Sequence, residues 1–173
     1  MMNLQKQLLI IFFIQISISL SAQDLVAAFL DKHEKDDNLE VVSIGKKMVE
    51  MMCGLSSDNT ELQAAIKGLE NICIVSSKDA ISNKEYYESA QQLLCKNKGF
   101  EEILSISGDN EDLLVMIKES KGIVKELVLL SGQDDKFNLI FISGNINLNT
   151  LIKYSENLNI KGFNNIRSVE RKK

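Results

Sequence analysis

Ile123-Val-Lys-Glu-Leu-Val-Leu-Leu130 is followed by Ser131-Gly-Gln-Asp-Asp-Lys136 and Phe137-Asn-Leu-Ile-Phe-Ile142, and these three segments decide the fold. The first and third are runs of β-branched and other apolar residues, whereas the second is polar, with the glycine and aspartates typical of turns. Two apolar runs joined by a short polar break predict a β-hairpin. Because this is the most hydrophobic part of the chain after its N-terminal segment, we expect the hairpin to form the centre of a sheet.

The first strand of this hairpin also predicts where the sheet is covered. Successive side chains of a strand face opposite sides, which gives two sets: Ile123, Lys125, Leu127 and Leu129 on one face, and Val124, Glu126, Val128 and Leu130 on the other. Each set is wholly apolar only from Leu127 onward. That end should therefore be covered on both faces, and the Lys125–Glu126 end should meet water.

The residues after the hairpin predict the end of the strand and then a helix. Ser143-Gly-Asn145 is expected to end the strand, and Asn147 is expected to cap a helix over Leu148–Leu158. The tail from Gly162 is polar and basic and is expected to be frayed.

The residues before the hairpin alternate between helical and strand patterns. The apolar spacing predicts, in order, a helix over Asp24–His33, a strand over Glu40–Ile44, two helices after Lys46, a strand over Asn71–Val75, a helix after Ser82, and strands over Phe100–Ser107 and Leu113–Ile117. The order is therefore α, β-α-α, β-α, about four strands, and α. This order predicts an α+β fold, with a largely antiparallel sheet, a C-terminal strand meander, and helices packed on it.

Met48, Met51, Met52 and Leu55 recur at the spacing of one helix face, which predicts that this face packs in the core. The alternative is an exposed surface for a partner, because flexible thioethers suit adaptable apolar contacts.

The helix after Ser82 carries two further signals. Ser82 and Glu85 match the capping box, in which serine caps the helix and the later glutamate reaches back. Tyr86 and Tyr87 are adjacent, so we expect one ring to face the core and the other to face out.

The first 22 residues are expected to be a secretory signal peptide. Lys6 gives a weakly positive start, an apolar run follows, and Ser19-Leu-Ser-Ala22 supplies small residues for cleavage near Ala22. The apolar run is short for a membrane span of about 20 residues, although an uncleaved anchor is the alternative. Residues 23–173 are then expected to form a single α+β domain with a frayed basic tail from about residue 162.

The charge of the chain excludes some classes of partner. Basic residues number 20 and acidic residues 24, a formal net charge of −4, with no basic stripe. This predicts no nucleic-acid partner and no anionic membrane surface. We also expect no stable membrane span after cleavage.

No catalytic, cofactor-binding or metal site is predicted. Cys53, Cys73 and Cys95 form no CxxC pair, and His33 is the only histidine, so zinc ligand spacing is absent. The cysteines are interpreted as small buried apolar residues, with one disulfide plus one free thiol left open. His33 is expected at the surface.

Two acidic segments are candidate calcium sites, and we interpret both as ordinary turns. Asp134-Asp135 and Gly108-Asp-Asn-Glu-Asp112 both lack the alternating oxygen ligands of a calcium loop. The glycines match no phosphate-binding loop.

Five stretches carry a resemblance to a known family: Val41-Val-Ser-Ile-Gly-Lys-Lys-Met48, Leu69-Glu-Asn-Ile-Cys-Ile-Val-Ser-Ser77, Lys125-Glu-Leu-Val-Leu-Leu130, Asp134-Asp-Lys-Phe-Asn-Leu-Ile140 and Gly144-Asn-Ile-Asn-Leu148. In these stretches the chain resembles a family of small exported Bacteroidetes proteins catalogued as domain of unknown function 4252. Many relatives look like lipoproteins, but this chain lacks the acceptor cysteine. The resemblance therefore implies a soluble periplasmic or secreted product, and it transfers no catalytic residue.

Three functions are compatible with the sequence. The first is a non-catalytic envelope module that binds a protein or a small ligand through its sheet or its Met-bearing helix. The second is a carboxylate-based enzyme of unrecognised type, which would need two carboxylates converging in a pocket. The third is an adhesin-like structural subunit, which would need an open sheet edge.

Overall fold

The fold, seen in a computed structural model that describes residues 22–55, 60–108 and 111–150, is one antiparallel sheet with helices on both faces. The predicted α+β class is confirmed. The elements that the described residues form are, in chain order, α1 (Ala22–Lys32), β1 (Leu39–Gly45), α2 (Lys46–Leu55), α3 (Thr60–Ile66), β2 (Leu69–Ser77), α4 (Asn83–Lys96), β3 (Glu101–Ser107), β4 (Glu111–Ser120), β5 (Ile123–Gln133) and β6 (Phe137–Ile146).

The predicted hairpin, β5–β6, lies inside the sheet, as expected. The strand order is β1-β2-β6-β5-β4-β3, and every neighbouring pair is antiparallel. Strands β3 to β6 form the predicted meander. The last of them, β6, lies between β5 and the much earlier strand β2, so it joins the meander to the antiparallel pair β1–β2.

Two apolar clusters hold the helices to the sheet, one on each face. The first face carries α1 and α4, and its buried side chains include Phe29, Tyr86, Val128, Leu130, Phe137 and Phe141. The second face carries α2 and α3, and its buried side chains include Val49, Ile66, Leu113, Val115, Leu127 and Leu129. The apolar end of β5 is therefore covered on both faces, as its alternation predicts.

The other end of β5 departs from the prediction. A bulge between Val124 and Glu126 breaks the alternation, so Val124 joins the second face with Leu127 instead of facing the opposite side. Glu126 does not simply meet water: its carboxylate lies 3.5 Å from the Lys118 ammonium, and the two side chains are only 15% and 21% exposed.

Strand β6 continues to Ile146 instead of ending at Ser143. Gly144 makes this continuation possible because its φ of 136° lets the backbone pass close to Gly68. The Asn145 amide then donates to the Gly68 carbonyl at 2.8 Å. The predicted cap is confirmed, since the Asn147 side chain accepts a hydrogen bond from the Thr150 amide at 3.1 Å and residues 148–150 are helical.

The buried stripe of α2 was predicted wrongly at three of its four positions, since only Met52 packs, partly buried, against the second face. Val49 is buried, whereas Met48 and Met51 are about half exposed and Leu55 is almost fully exposed. Most positions of this helix are apolar, so its sequence does not select one face, and packing on β2 selects the face of Val49.

Helix α4 differs from its prediction at two points. Ser82 makes no side-chain capping bond, because its backbone is not in the extended conformation that a cap needs. Tyr86 and Tyr87 are both buried. Two adjacent rings can be buried because α4 packs against two neighbours: Tyr86 contacts Phe29 of α1, and Tyr87 lies on Gly132 of β5.

Residues 1–21 of the expected signal peptide, residues 151–158 of the predicted C-terminal helix and the expected basic tail lie outside the described residues. Within the described ranges, none of the helices has the length and apolar character needed to cross a membrane.

Candidate functional site

A cavity of about 880 Å³ opens on the first face, where the N-terminal half of α4 leaves the ends of β3, β4 and β5 uncovered. We call it the α4 cavity. Its floor is formed by Ser105, Ser107 and Gly132, which are small, so the sheet surface is low there. Its walls come from α4 and from the turn after β5.

The pairing of β4 with β5 brings together the residues at one edge of this cavity. Glu111 pairs with Gln133, and Asp112 pairs with Gly132. Tyr87 lines the cavity beside Gly132, since a β-carbon added to that glycine would lie 2.9 Å from its ring. Burial, with the nearby charge of Asp112 as a further cause, raises the pKa of Tyr87 to about 12, so the hydroxyl stays neutral at physiological pH.

Hydrogen bonds fix the walls of the α4 cavity. The Asn83 side-chain amide donates to the backbone carbonyls of Gln133 and Asp134 at 3.4 and 3.3 Å. The side-chain amide of Gln133 donates to the Glu111 carboxylate at 3.2 Å, and the Ser107 hydroxyl donates to the Asp112 carboxylate at 2.6 Å. The α4 wall and the hairpin wall are therefore tied together without a ligand.

Asn83 carries an unsatisfied polar atom in this wall. The residue is only 4% exposed, and its Oδ1 has no hydrogen-bond partner among the described residues. A buried acceptor without a donor costs about 1–3 kcal/mol. Because the oxygen itself is buried, a molecule in the cavity does not reach it in this conformation.

The two acidic turns, interpreted from the sequence as turn chemistry, both contribute to this cavity. Asp134 lines one side, and Gly108, Glu111 and Asp112 line another. The described residues contain no group of three His, Cys, Asp or Glu side chains that could hold a metal ion. Sequence reasoning missed that the turns meet; counting the β4–β5 register outward from Lys121-Gly122 would have found it.

His33 is half-buried, not at the surface as expected. Its ring lies 4.7 Å from that of Phe29 and 5.2 Å from that of Tyr86, and its Nε2 is 3.2 Å from the Ser89 hydroxyl. Lys32 donates to the same hydroxyl at 2.9 Å. Because Ser89 is only 3% exposed, this cluster holds α1 to α4 instead of presenting a nucleophile.

Tyr86 extends the same cluster to the turn after α1. Its hydroxyl donates to the Asp36 carboxylate, and this bond lowers the pKa of that carboxyl. The pKa of Tyr86 itself is raised, chiefly by burial. Both shifts keep the neutral phenol paired with the ionised carboxylate.

The three cysteines are free. Cys73 is buried, and its burial raises the pKa of its thiol. Cys53 is half-buried, but Cys95 is exposed, so the interpretation of all three as buried residues is wrong for Cys95. Its position near the end of α4 points it away from the two apolar clusters.

Exposed apolar side chains also lie away from the cavity. Val41 and Val42 of edge strand β1 are about half exposed on opposite faces of the sheet, and Met48, Met51 and Leu55 of the following helix α2 are also exposed. These are the side chains that a protein-binding or assembling surface would use.

The comparisons with known proteins give one match. The family model described as "Domain of unknown function (DUF4252)" matches residues 33–154, which is well over half of the chain and runs from the end of α1 past β6. No curated protein and no solved structure matches significantly.

Proposed function

The chain belongs to the DUF4252 family of domains of unknown function, and from its structure we propose that it is a non-catalytic exported module that binds a small polar molecule in the α4 cavity. The observation that carries this proposal is the α4 cavity of about 880 Å³, whose walls are held together by hydrogen bonds from Asn83.

The size and stiffness of the cavity support binding. Small-molecule sites in proteins usually occupy about 300–1,000 Å³, and the α4 cavity falls in this range. The bonds from Asn83 to the carbonyls of Gln133 and Asp134 hold the two walls in place. A ligand would therefore meet a preformed site and would lose little free energy to ordering it.

The arrangement of polar groups supports binding over catalysis. General acid–base chemistry needs two groups that converge on one reacting atom. Here Glu111 and Asp112 instead accept hydrogen bonds from Gln133 and Ser107. Their role is to fix the walls.

Export is the second part of the proposal. It is supported by the apolar run and the small residues before Ala22 in the sequence. The apolar core includes Leu25, Val26 and Phe29 of α1, so cleavage near Ala22 would leave the core whole. N-terminal sequencing of the mature protein should begin near Gln23, and recovery of an intact Met1 terminus would contradict export.

Binding is tested with three probes that share a four-carbon chain: putrescine, succinate and butanediol. They are cationic, anionic and neutral. Each is titrated to millimolar concentration into isotope-labelled protein while backbone amide signals are followed by NMR. We expect at least one probe to shift the signals of Asn83, Ser105 and Gly132 and to leave those of Val42 and Met51 in place.

The control surface makes the result specific. Shifts at Val42 and Met51 of the same size as those at the cavity would show general adhesion to the protein. If none of the three probes moves the cavity signals, the proposed function is wrong.

A further inference from the structure

Strand β1 forms one edge of the sheet, and none of the described strands pairs with its outer side. The Lys78 amide donates to the Asn38 carbonyl at 2.8 Å, so Asn38 points its backbone groups toward the β2 side. In an antiparallel pair this direction alternates from one residue to the next. The backbone N–H and C=O groups that point outward from the sheet therefore belong to Leu39, Val41, Ser43 and Gly45.

The two edges of the sheet are built differently. Edge strand β3 begins with two glutamates and has a bulge after Glu102, and charges and bulges are features that keep an edge strand from pairing. Strand β1 instead keeps an unbroken register with β2 along its whole length. Its middle residues, Val41 and Val42, are about half exposed. The β1 edge is therefore the one suited to receive a further strand.

The charges at the two ends of β1 favour a second copy of the same chain as that strand. Asp37 and Glu40 lie at the N-terminal end, Lys46 and Lys47 follow the C-terminal end, and all four are exposed. Two antiparallel copies place the acidic end of each strand beside the basic end of the other, whereas parallel copies would place like charges together. The edge is therefore complementary to itself in the antiparallel orientation.

The outward backbone groups select one register for this pairing. If a two-fold axis passes through Val42, then Val41 pairs with the partner's Ser43, and the outward residues at the two ends of the strand pair with each other. A shift of two residues in either direction would leave one outward residue of each copy without a partner. In the same register, Asp37 comes level with the partner's Lys47. Hydrogen bonding and charge therefore indicate the same axis.

We propose that the protein forms a homodimer in which two β1 strands pair antiparallel about Val42 and join the two sheets into one. The Val42 side chains meet on the second face, which is also the face of Ile44. The α4 cavity lies toward the opposite edge of the sheet, over β3 to β5. The dimer therefore leaves the cavity open, and it does not depend on the proposed binding function.

Cysteine cross-linking tests the axis with two matched variants in a Cys95→Ser background, which lacks the exposed native thiol. Val42→Cys and Val41→Cys replace valines that are 46% and 45% exposed. Across the proposed axis, the two Val42 α-carbons should lie about 4.5 Å apart, within the reach of a disulfide. The two Val41 residues would be diagonal neighbours, about 7–8 Å apart.

We expect mild oxidation to convert most of the Val42→Cys protein, and little of the Val41→Cys protein, into a disulfide-linked dimer. Equal cross-linking of the two variants would indicate random collision. Stronger cross-linking of Val41→Cys would place the axis elsewhere. Either result would overturn the proposal.

A backbone variant tests whether the β1 edge makes the dimer. Ser43→Pro removes an outward N–H that takes no part in the pairing of β1 with β2, so the variant should fold, which far-UV circular dichroism checks. Ser43→Ala keeps that N–H and is the control. Sedimentation equilibrium should give about twice the mass of one chain for the wild type and for Ser43→Ala, and the mass of one chain for Ser43→Pro at the same concentration. A wild type that stays monomeric at millimolar concentration, or a folded Ser43→Pro that dimerises as the wild type does, would contradict the proposal.

Discussion

Replacing Gly144 with alanine is expected to destabilise the protein by at least about 4 kcal/mol, a large share of the 5–15 kcal/mol that holds a typical domain folded. The added β-carbon would lie 2.3 Å from the Gly68 carbonyl oxygen and 2.7 Å from the Leu69 α-carbon. Both are backbone atoms, so no side chain can rotate away. The φ of 136° at this position is also strained for any residue with a β-carbon.

Two other glycines separate the steric clash of the added β-carbon from the strain of the positive φ. Gly122 has a φ of 77° but open space around its α-carbon, so Gly122→Ala should show strain alone, about 1 kcal/mol. Gly45 has open space and no positive φ, so Gly45→Ala should be nearly neutral. Urea unfolding followed by circular dichroism ranks the three variants. A loss in Gly144→Ala no greater than that in Gly122→Ala would show that β2 and β6 can move apart freely.

Leu129→Ala is expected to cost about 2–5 kcal/mol, because it leaves a cavity in the middle of the sheet. Leu129 is 2% exposed, pairs with Val115 and Ile140 on its two sides, and lies in the second-face cluster. Neighbouring β-strands hold the backbone in place, so the site cannot collapse to fill the space.

Two variants in the same strand are matched to Leu129→Ala. Ile123 is 45% exposed, so Ile123→Ala removes apolar atoms that are partly in water already and should cost less than about 1 kcal/mol. Lys125→Ala should cost less than about 0.5 kcal/mol, as surface changes usually do, although its ammonium donates to the exposed Asn145 side chain. Equal, small losses in all three variants would show that β5 is peripheral to stability.

The sequence predicted those parts of the fold that depend on local pattern. The β5–β6 hairpin follows from two apolar runs and a polar break, and the Asn147 cap follows from one side chain and a nearby amide. In both cases the interacting residues are close in the chain, so the pattern contains the information needed.

The errors lie where distant residues decide the outcome. The bulge near Val124 shifts the alternation of β5, and bulges depend on pairing with neighbouring strands. The face of α2 depends on how Val49 meets β2, since Met48 and Met51 would have served equally well by spacing.

The α4 cavity could not be predicted as a site for the same reason. Asn83, Asp112 and Asp134 each have an ordinary local explanation as a helix start or a turn. Their meeting depends on the β4–β5 register, which the Lys121-Gly122 turn indicates to within one bulge, and on the packing of α4, which is long-range. The unsatisfied oxygen of Asn83 has no signal in the sequence at all.

The central place of β6 has a consequence for the order in which the molecule can be completed. Ser76 of β2 and Asn138 of β6 are hydrogen-bonded across 62 positions of chain, and β6 is the last strand that the structure describes. Until Phe137–Ile146 has been synthesised, β1–β2 and β3–β5 are two separate pieces, in which the apolar strands β2 and β5 each have one unpaired edge. Closing such a long loop is slow, and unpaired apolar edges invite association with other chains. The nascent protein is therefore most vulnerable to aggregation just before its last strand arrives, and a chain truncated there would remain in that state.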